Sequence, residues 1–398
     1  MAEKRYTRKM SYNDRLFQVA GKICPPGTNQ FVCEGEGVFD VEKWQEAVNR
    51  ASAANPGSRI VLRGHLGGTR WVDSGINPPV IEVDGSRWDG LGPEGAPFVE
   101  RTVDLRKGPV SEVMLIHGSP LRVLFRTHHA VMDGMGLLTW MADIFRVLRG
   151  EDPIGSDAVI TDMELARSVQ REYRKPFPRN NIVPTGKPSG DERGVIWRRI
   201  IIPGSYKNIL GQVVVLSARE AWKHQEGPVR FAIPVDIRFR GNGVRSTANL
   251  AIAIYVEVNK ETTPEEIAAD IQKQIFEKRD CMIDRFDPFT RFLPVSYLVR
   301  QGNRMIRNNN RTGLYGTSGL ISNMGRPPVE VYSGAGFNTN LIWGIPPSIE
   351  NIPYLIGLAT RPGEVTLSLA VPRVLAGNNR LETALENIKK GLVPVVKS

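Results

Sequence analysis

The stretch from residue 121 to residue 148 changes from the spacing of a strand to the spacing of a helix within a few positions. The apolar run "EVMLIH", the turn "GSP" and the segment "LRVLFRTHH" together have the pattern of a β-hairpin. Beyond the next loop, apolar residues recur at helical spacing at Leu137, Met141, Ile144 and Leu148. The sequence therefore predicts a strand, a short loop and a helix. The loop carries "HHAVMDG", and such a junction can hold side chains rigidly in a cleft.

The remaining segments mix helices and strands without strict alternation. Residues 38–53 predict a helix capped by Asp40, "NILGQVVVLSAREAWK" predicts a buried helix, and a closing helix is expected to begin near Asn379. In "TTPEEIAADIQKQIFEKR", Thr263 and Glu266 form the capping-box pattern of a further helix. Strands are predicted for "VRFAIPVDIRF", "NLAIAIYVEVN", "GLISNMG" and "FNTNLIWGI", and a hairpin for "YLIGLATRPGEVTLSLAVP". This order favours an α+β fold over a doubly wound sheet.

Length and proline content indicate two lobes. A chain of 398 residues suits two domains of ordinary size. Residues 174–192 contain four prolines and are the best candidate for a linker. We therefore predict an N-terminal lobe, residues 1–180, which carries the histidine pair, and a C-terminal lobe, residues 181–398.

Charge and composition limit the classes of function. The net charge of +10 and the pI near 9.6 favour anionic partners, among them nucleic acid, coenzyme A, a phosphopantetheine arm and an acidic carrier protein. No zinc-finger or RNP-like pattern is present, so we do not expect nucleic acid to be the partner. No apolar run is long enough for a membrane span, and the first residues do not form a secretory signal, so a cytoplasmic protein is predicted. Cys24, Cys33 and Cys281 fit buried free thiols, and no metal site is expected.

The two histidines, His128 and His129, are expected to have different environments. Neighbouring side chains of a strand point to opposite faces, so one imidazole faces the cleft and the other packs inward. The cleft-facing imidazole can accept a proton near neutral pH. Asp133 either orients His129 directly or pairs with a cation and braces the loop. Gly134 allows a backbone conformation or a close approach that a Cβ would obstruct. Because no serine or cysteine nucleophile signature accompanies the histidines, we expect direct transfer, in which an acceptor attacks an activated acyl group.

The pattern HHxxxDG between a strand and a helix resembles the signature of the chloramphenicol-acetyltransferase-like superfamily. This superfamily includes nonribosomal peptide condensation domains, polyketide-associated and wax-ester acyltransferases, and plant acyl-CoA-dependent acyltransferases. "GVFDVEKWQEAVNRASAANPGSRIVLRG" is similar to the opening helix of these proteins. "IPVDIRFR", with the following "STANLAIAIYVEV", resembles a strand pair of their second half, and "LISNMG" resembles a further strand. In order, these segments cover nearly the whole chain.

The resemblance implies a fold and a role for each residue of the motif. Two similar lobes would form a V-shaped pseudo-dimer with the active site in a tunnel between them. His129 would be the catalytic base or a positioning residue, and His128 would be structural. Asp133 would be turned away from the substrate and paired with an arginine that is Arg238 here. The backbone amide of Gly134 would lie close to the reacting carbonyl.

The chain also departs from parts of the superfamily. Plant members carry "DFGWG", of which only Trp343 and Gly344 are present here. The chain is shorter than many condensation domains and carries no adenylation or carrier segment. The resemblance therefore implies a free-standing enzyme of bacterial type, and we expect a monomer.

The expected activity is acyl transfer from a pantetheine thioester to a small-molecule amine or alcohol, in natural-product or lipid biosynthesis. No permanently bound cofactor is expected. The co-substrate would be an acyl-phosphopantetheine on an acidic acyl or peptidyl carrier protein, or acyl-CoA. The carrier-bound donor is favoured because the motifs are nearer to bacterial condensation-type enzymes. The alternatives are an acyl-CoA-dependent O- or N-acyltransferase and a non-catalytic relative that binds a carrier protein or ligand.

Overall fold

The hairpin that carries the histidine pair lies inside a mixed sheet in the first half of the chain. The computed structural model describes residues 5–395. The helices and strands of the first half are, in chain order, β1 (Thr7–Lys9), α1 (Tyr12–Ile23), β2 (Thr28–Gly37), α2 (Val41–Ala54), β3 (Ile60–Arg63), β4 (Arg70–Asp73), β5 (Val80–Asp84), β6 (Ser111–His117), β7 (Leu121–His128), α3 (Gly134–Leu148) and α4 (Asp162–Val169). The strand–loop–helix junction is therefore confirmed, with β7 ending at the first histidine.

The second half of the chain adds a larger sheet covered by helices. Its elements are β8 (Tyr173–Arg174), β9 (Val195–Pro203), α5 (Ile209–His224), β10 (Val229–Asp236), β11 (Ala251–Val258), α6 (Pro264–Phe276), β12 (Ile283–Asp284), α7 (Val295–Thr312), β13 (Gly319–Asn323), β14 (Phe337–Ile345), β15 (Leu355–Arg361), β16 (Glu364–Pro372) and α8 (Arg380–Gly391). Six of these strands form one sheet in the order β11-β10-β13-β15-β16-β9. The predicted α+β class is confirmed.

Local signals explain where several helices begin. Asp40 accepts a hydrogen bond from the backbone N–H of Lys43 and caps α2, whose Trp44 is fully buried. Thr263 and Glu266 form the expected capping box at the start of α6. Each of these interactions satisfies first-turn backbone donors that the helix itself leaves free.

One strand of the second half completes the sheet of the first half. The five-stranded sheet has the order β14-β2-β7-β6-β5, and β14 pairs antiparallel with β2 from Phe337 to Ile345, with one register shift between Thr339 and Leu341. If the chain is divided at residue 180, β14 belongs to the C-terminal part by sequence but to the sheet of the N-terminal part by pairing. The two lobes share this strand as well as a core between them, where Trp343 of β14 packs with Trp88 and Trp197. The boundary at residue 180 stays a prediction.

Two expected segments differ from the structure. Residues 174–192 lack a helix, as expected of a linker, but Asn181, Ile182 and Val183 are buried, and Asn181 pairs with the backbone of Tyr315. Proline content predicts an irregular conformation and says little about burial, which explains the difference. The strand predicted to extend through residue 239 ends instead at Asp236, where its carboxylate accepts from the backbone N–H of Arg238 and starts a tight turn.

Two helices of functional importance were not among the predicted elements. α1 begins with a capping box formed by Ser11 and Asp14, and α7 is the longest helix of the described chain. The two helices pack against each other and form one wall of the space between the lobes.

The thiols of Cys24, Cys33 and Cys281 are free and buried, as predicted. Between residues 5 and 395, no helix combines the length and the apolar character that crossing a membrane requires.

Candidate active site

A cavity of about 660 Å³ lies between the two lobes. α1 and the loop after β7 contribute to its walls from the first lobe, and β10, β11 and α7 contribute from the second. The volume falls in the range of small-molecule and cofactor sites. A second cavity of about 210 Å³ adjoins the first, and Phe31, Asp133 and Gly134 line both. The space at Gly134 is therefore reached from two sides.

His129 lies in the wall of the larger cavity, directly after the last residue of β7. Its backbone N–H donates to the carbonyl of Gly27 at 2.9 Å, and its ring stacks on Phe17 with 3.6 Å between the centroids. Burial lowers the pKa of His129, and its own backbone, Asp133 and Asn249 raise it by smaller amounts. Nδ1 is buried and finds no hydrogen-bond partner in residues 5–395. The imidazole is neutral near pH 7 and able to accept a proton.

His128 has a different environment, as the alternation along the strand predicts. Its side chain lines neither cavity, and its Nδ1 accepts a hydrogen bond from the backbone N–H of Ala130 at 3.0 Å. Its Nε2 lies against Gly21, where a Cβ would come within 2.9 Å of it. Burial, with smaller contributions from His129 and Lys22, lowers the pKa of His128 to about 3. This packed neutral ring holds the end of β7 against α1.

Asp133 and Arg238 form the ion pair that the resemblance implies. The guanidinium donates to both carboxylate oxygens, at 2.9 and 3.1 Å, and both side chains are more than nine-tenths buried. The same carboxylate accepts from the backbone N–H groups of Gly136 and Leu250, each at 2.7 Å. Both oxygens of Asp133 are thus occupied by partners other than His129. The geometry favours bracing of the loop over direct orientation of the histidine.

Gly134 and Gly136, which follow Asp133, differ in how much space they leave for a Cβ. A Cβ on Gly134 would meet only the Phe31 ring, at 3.4 Å, and would otherwise point into the two cavities. Gly134 therefore leaves space for a ligand, and α3 begins there with a free first-turn amide. Gly136 is the residue that needs a close backbone approach, because a Cβ there would lie 2.2 Å from the carbonyl oxygen of Thr247. The structure thus shows a close approach of protein backbone at Gly136, and the role predicted for Gly134 stays a prediction.

Asn249 and Asp14 complete the surroundings of His129, and neither belongs to the histidine motif. The Asn249 carboxamide Nδ2 donates to Asp14 at 3.0 Å, which fixes the group beside the imidazole. Asp14 is fully buried and also accepts from Arg8 and from the indole of Trp71. The capping pattern Ser11–Asp14 was a local signal for Asp14, but nothing local connected it with Asn249.

Several buried polar atoms at the cavity walls have no protein partner in the described range. They are Arg15 Nε, Asn29 Nδ2, Gln30 Oε1, His129 Nδ1, Asp162 Oδ1 and Asn249 Oδ1. Burial and the neighbouring Asp14 raise the pKa of Asp162 to about 7. Buried polar groups usually have partners, so these atoms indicate a space that accommodates polar ligand groups or water.

Solved structures with the same fold are found despite low sequence identity. A double mutant of the starter condensation domain of rhizomide synthetase, in complex with C8-CoA and Leu-SNAC, superposes with a TM-score of 0.66 at 13% identity, covering 97% of this chain and 93% of that one. Polyketide synthase associated protein 5 from Mycobacterium tuberculosis gives 0.64 at 16% identity, covering 96% of both chains. The epimerization domain from the third module of tyrocidine synthetase B gives 0.58 at 12% identity, covering 97% and 96%. No family model and no curated protein matches the sequence.

The chain therefore has the two-lobed fold of condensation domains, as the resemblance implied. The same fold occurs in an epimerization domain, so the fold does not define one activity. The catalytic role of His129 and the supporting roles of His128, Asp133, Gly134 and Arg238 stay predictions.

Proposed function

We propose that this protein is a condensation-type acyltransferase, which moves an acyl group from a pantetheine thioester to an amine or a hydroxyl. The observation that supports this most directly is the neutral His129 in the wall of a cavity that adjoins a second cavity at Gly134. Two reactants, one in each cavity, could thus meet at Gly134, within the cavity wall that also carries His129. Holding two reactants in this way is itself a large part of catalysis.

The proposed step moves one proton and exchanges one bond. The acceptor N–H or O–H donates its proton to His129 while the nitrogen or oxygen attacks the thioester carbonyl carbon. The resulting oxyanion lies near the first-turn amide of Gly134, where the helix terminus favours negative charge. Collapse breaks the carbon–sulfur bond, and the thiolate leaving group takes the proton from the imidazolium. Asp133 takes no proton in this scheme because its oxygens are held by Arg238 and two backbone amides.

The donor is proposed to be carrier-bound, with acyl-CoA as the alternative. The solved structure of the rhizomide synthetase domain is a complex with C8-CoA, so a protein of this fold binds an acylated coenzyme A. The net charge of +10 suits the phosphates of coenzyme A and an acidic carrier protein equally. Equal rates with octanoyl-CoA and an octanoyl carrier protein would contradict the preference for the carrier.

The test is a product survey with a matched pair of variants. Acyl thioesters are offered with amine and alcohol acceptors, and amide or ester products are identified by mass spectrometry. In His129→Ala, turnover should fall by about 10²–10⁴, the usual contribution of a general base. His117→Ala is the control, because His117 is an exposed histidine on the same hairpin.

Each outcome of the survey has a distinct meaning. Undiminished turnover in His129→Ala would contradict the assigned role of that imidazole. Absence of product with every donor and acceptor, together with binding of a carrier protein, would favour the non-catalytic alternative.

A further inference from the structure

The most exposed residues of the larger cavity's wall lie together on one side of the protein. Within residues 5–395, three residues of the cavity wall are solvent-exposed: Leu16 of α1, Asp284 of β12 and Gln301 of α7. α1, α7 and the segment between β12 and α7 meet there. Arg15 donates to the backbone carbonyl of Arg291 at 3.1 Å, which ties that segment to α1. This meeting point is the mouth of the cavity.

Aromatic side chains surround the mouth and face solvent. Phe286, Phe289, Phe292 and Tyr297 are 75%, 62%, 52% and 47% exposed. They alternate along the chain with residues that line the cavity, among them Asp287, Thr290 and Leu298. Exposed rings at this density are uncommon on a soluble protein, where large apolar patches usually mark a binding surface.

A stripe of arginines continues this surface along α7. Arg300, Arg304, Arg307 and Arg311 follow a 4-3-4 spacing, which places them within about 60° of arc on a helix. All four are exposed, and no described carboxylate forms an ion pair with them. The opposite face of α7, with Leu298, Met305 and Ile306, lines the cavity. Tyr297 lies one turn before Arg300 and joins the aromatic rim to the stripe.

The stripe and the segment around it carry positive charge only, whereas Asp284 and Asp287 lie before this segment, on either side of Phe286. From residue 288 to residue 329 the sequence contains no aspartate or glutamate. Exposed aromatic rings beside a row of arginines are the combination that inserts at, and is attracted to, an anionic lipid surface. An acidic protein would satisfy the arginines but would leave four large rings to be covered by a matching apolar face. A bilayer supplies both the negative headgroups and the apolar layer.

We propose that the mouth surface, formed by the four aromatic residues and the four arginines of the stripe, docks this protein on an anionic lipid bilayer. Docking presents the mouth of the cavity to the acyl region of the membrane, from which a long-chain substrate can enter without crossing water. The proposal concerns peripheral attachment and does not depend on the chemistry proposed for His129.

The first test measures sedimentation with vesicles of phosphatidylcholine and phosphatidylglycerol in a three-to-one ratio. The wild-type chain should bind these vesicles, bind pure phosphatidylcholine vesicles weakly, and be released by high salt. Changing the four stripe arginines to Gln should weaken binding by roughly several hundredfold, since each basic residue contributes about fivefold. The control changes four exposed residues of the second lobe to Gln: Lys207, just before α5, and Arg219, Lys273 and Lys390 on α5, α6 and α8. It lowers the net charge equally and should leave most of the binding.

The second test locates the surface and is independent of affinity. The native thiols are buried, and burial raises the pKa of Cys24 and of Cys281 to about 11, so a single introduced cysteine can be labelled selectively. A solvent-sensitive dye at Phe286→Cys should shift to the blue with phosphatidylglycerol vesicles, and the same dye at Arg219→Cys should not.

Three results would overturn the proposal: no binding to anionic vesicles, equal loss in the stripe and control variants, or a dye at position 286 that responds to an acidic carrier protein and not to vesicles. Because neither test uses turnover, their failure would leave the acyltransferase proposal standing.

Discussion

Removing the Arg238 guanidinium is expected to destabilise the whole protein, although the residue lies outside both main cores. Arg238 donates to Asp133 and Asp236, and to the backbone carbonyls of Ser246 and Ala248. Its loss leaves Asp133 as a buried carboxylate with only two amide donors. Breaking a buried pair by removing one partner costs about 3–5 kcal/mol. We expect a loss of this size in the free energy of unfolding of Arg238→Ala.

The double-mutant cycle separates a specific pair from two independent supports. Asp133→Ala loses the same ion pair, the cap on Gly136, worth about 1 kcal/mol, and the acceptor for Leu250 N–H. Once Asp133 is absent, removing Arg238 costs little more, so the double variant should resemble the less stable single variant. The magnitude of the coupling energy should therefore approach the cost of Arg238→Ala alone, about 3–5 kcal/mol.

Urea unfolding followed by circular dichroism measures all four proteins of the cycle. Arg238→Lys serves as a further control, since an ammonium group keeps the charge but cannot form the two-pronged contact. Its stability should lie between wild type and Arg238→Ala. A double variant destabilised by the sum of the single effects, or by more, would refute the pair.

Other predictions concern the neighbours of the histidines. In Gly136→Ala the free energy of unfolding, measured by thermal melts, should fall by about 1–3 kcal/mol because the added Cβ would meet the Thr247 carbonyl. Gly68→Ala is the control and should keep the stability of the wild type, because nothing lies within 4 Å of the Cβ added there. Because the pKa of His128 is about 3 in the folded chain and near 6.5 when unfolded, the unfolded chain takes up the proton first as the pH falls. The stability that neutral His128 contributes is therefore complete above about pH 6.5, and the free energy of unfolding falls by about 1.4 kcal/mol per pH unit from there toward pH 3. Urea titrations at several pH values should show a smaller dependence of the free energy of unfolding on pH in His128→Gln. An unchanged pH dependence would contradict the assignment. Asn249 raises the pKa of His129, so Asn249→Ala should move the acidic limb of the kcat/KM profile to lower pH, and a shift to higher pH would argue against the contact.

The parts of the fold that could be predicted are those with local causes. Asp40 and Thr263 cap their helices as the sequence indicated, and the hairpin before the histidines has the expected turn. α7 was missed because its arginines and asparagines dominate the composition, although Leu298, Met305 and Ile306 recur at helical spacing. Its apolar stripe is narrow because only one face meets the protein.

The candidate site was predictable only as far as its motif extends. Asp133 and Arg238 came from the resemblance, and their contact joins positions 105 residues apart. Asn249 reaches Asp14 across 235 residues, a contact that neither spacing nor propensity encodes. The sequence pattern also did not predict that β10 ends at Asp236. Because the strand ends there in a turn, Arg238 points toward Asp133 and does not continue along the sheet.

The pairing of β14 with β2 has a consequence for the newly made chain. Gly37 of β2 pairs with Phe337 of β14, so the β2 edge of the first sheet has no partner until about 300 further residues have been made. At translation rates of about 5–20 residues per second, β2 stays uncovered for roughly 15–60 s. An open edge is a template for pairing with other chains. A truncated first lobe should therefore aggregate, and adding a peptide of residues 337–345 during its synthesis should suppress that aggregation.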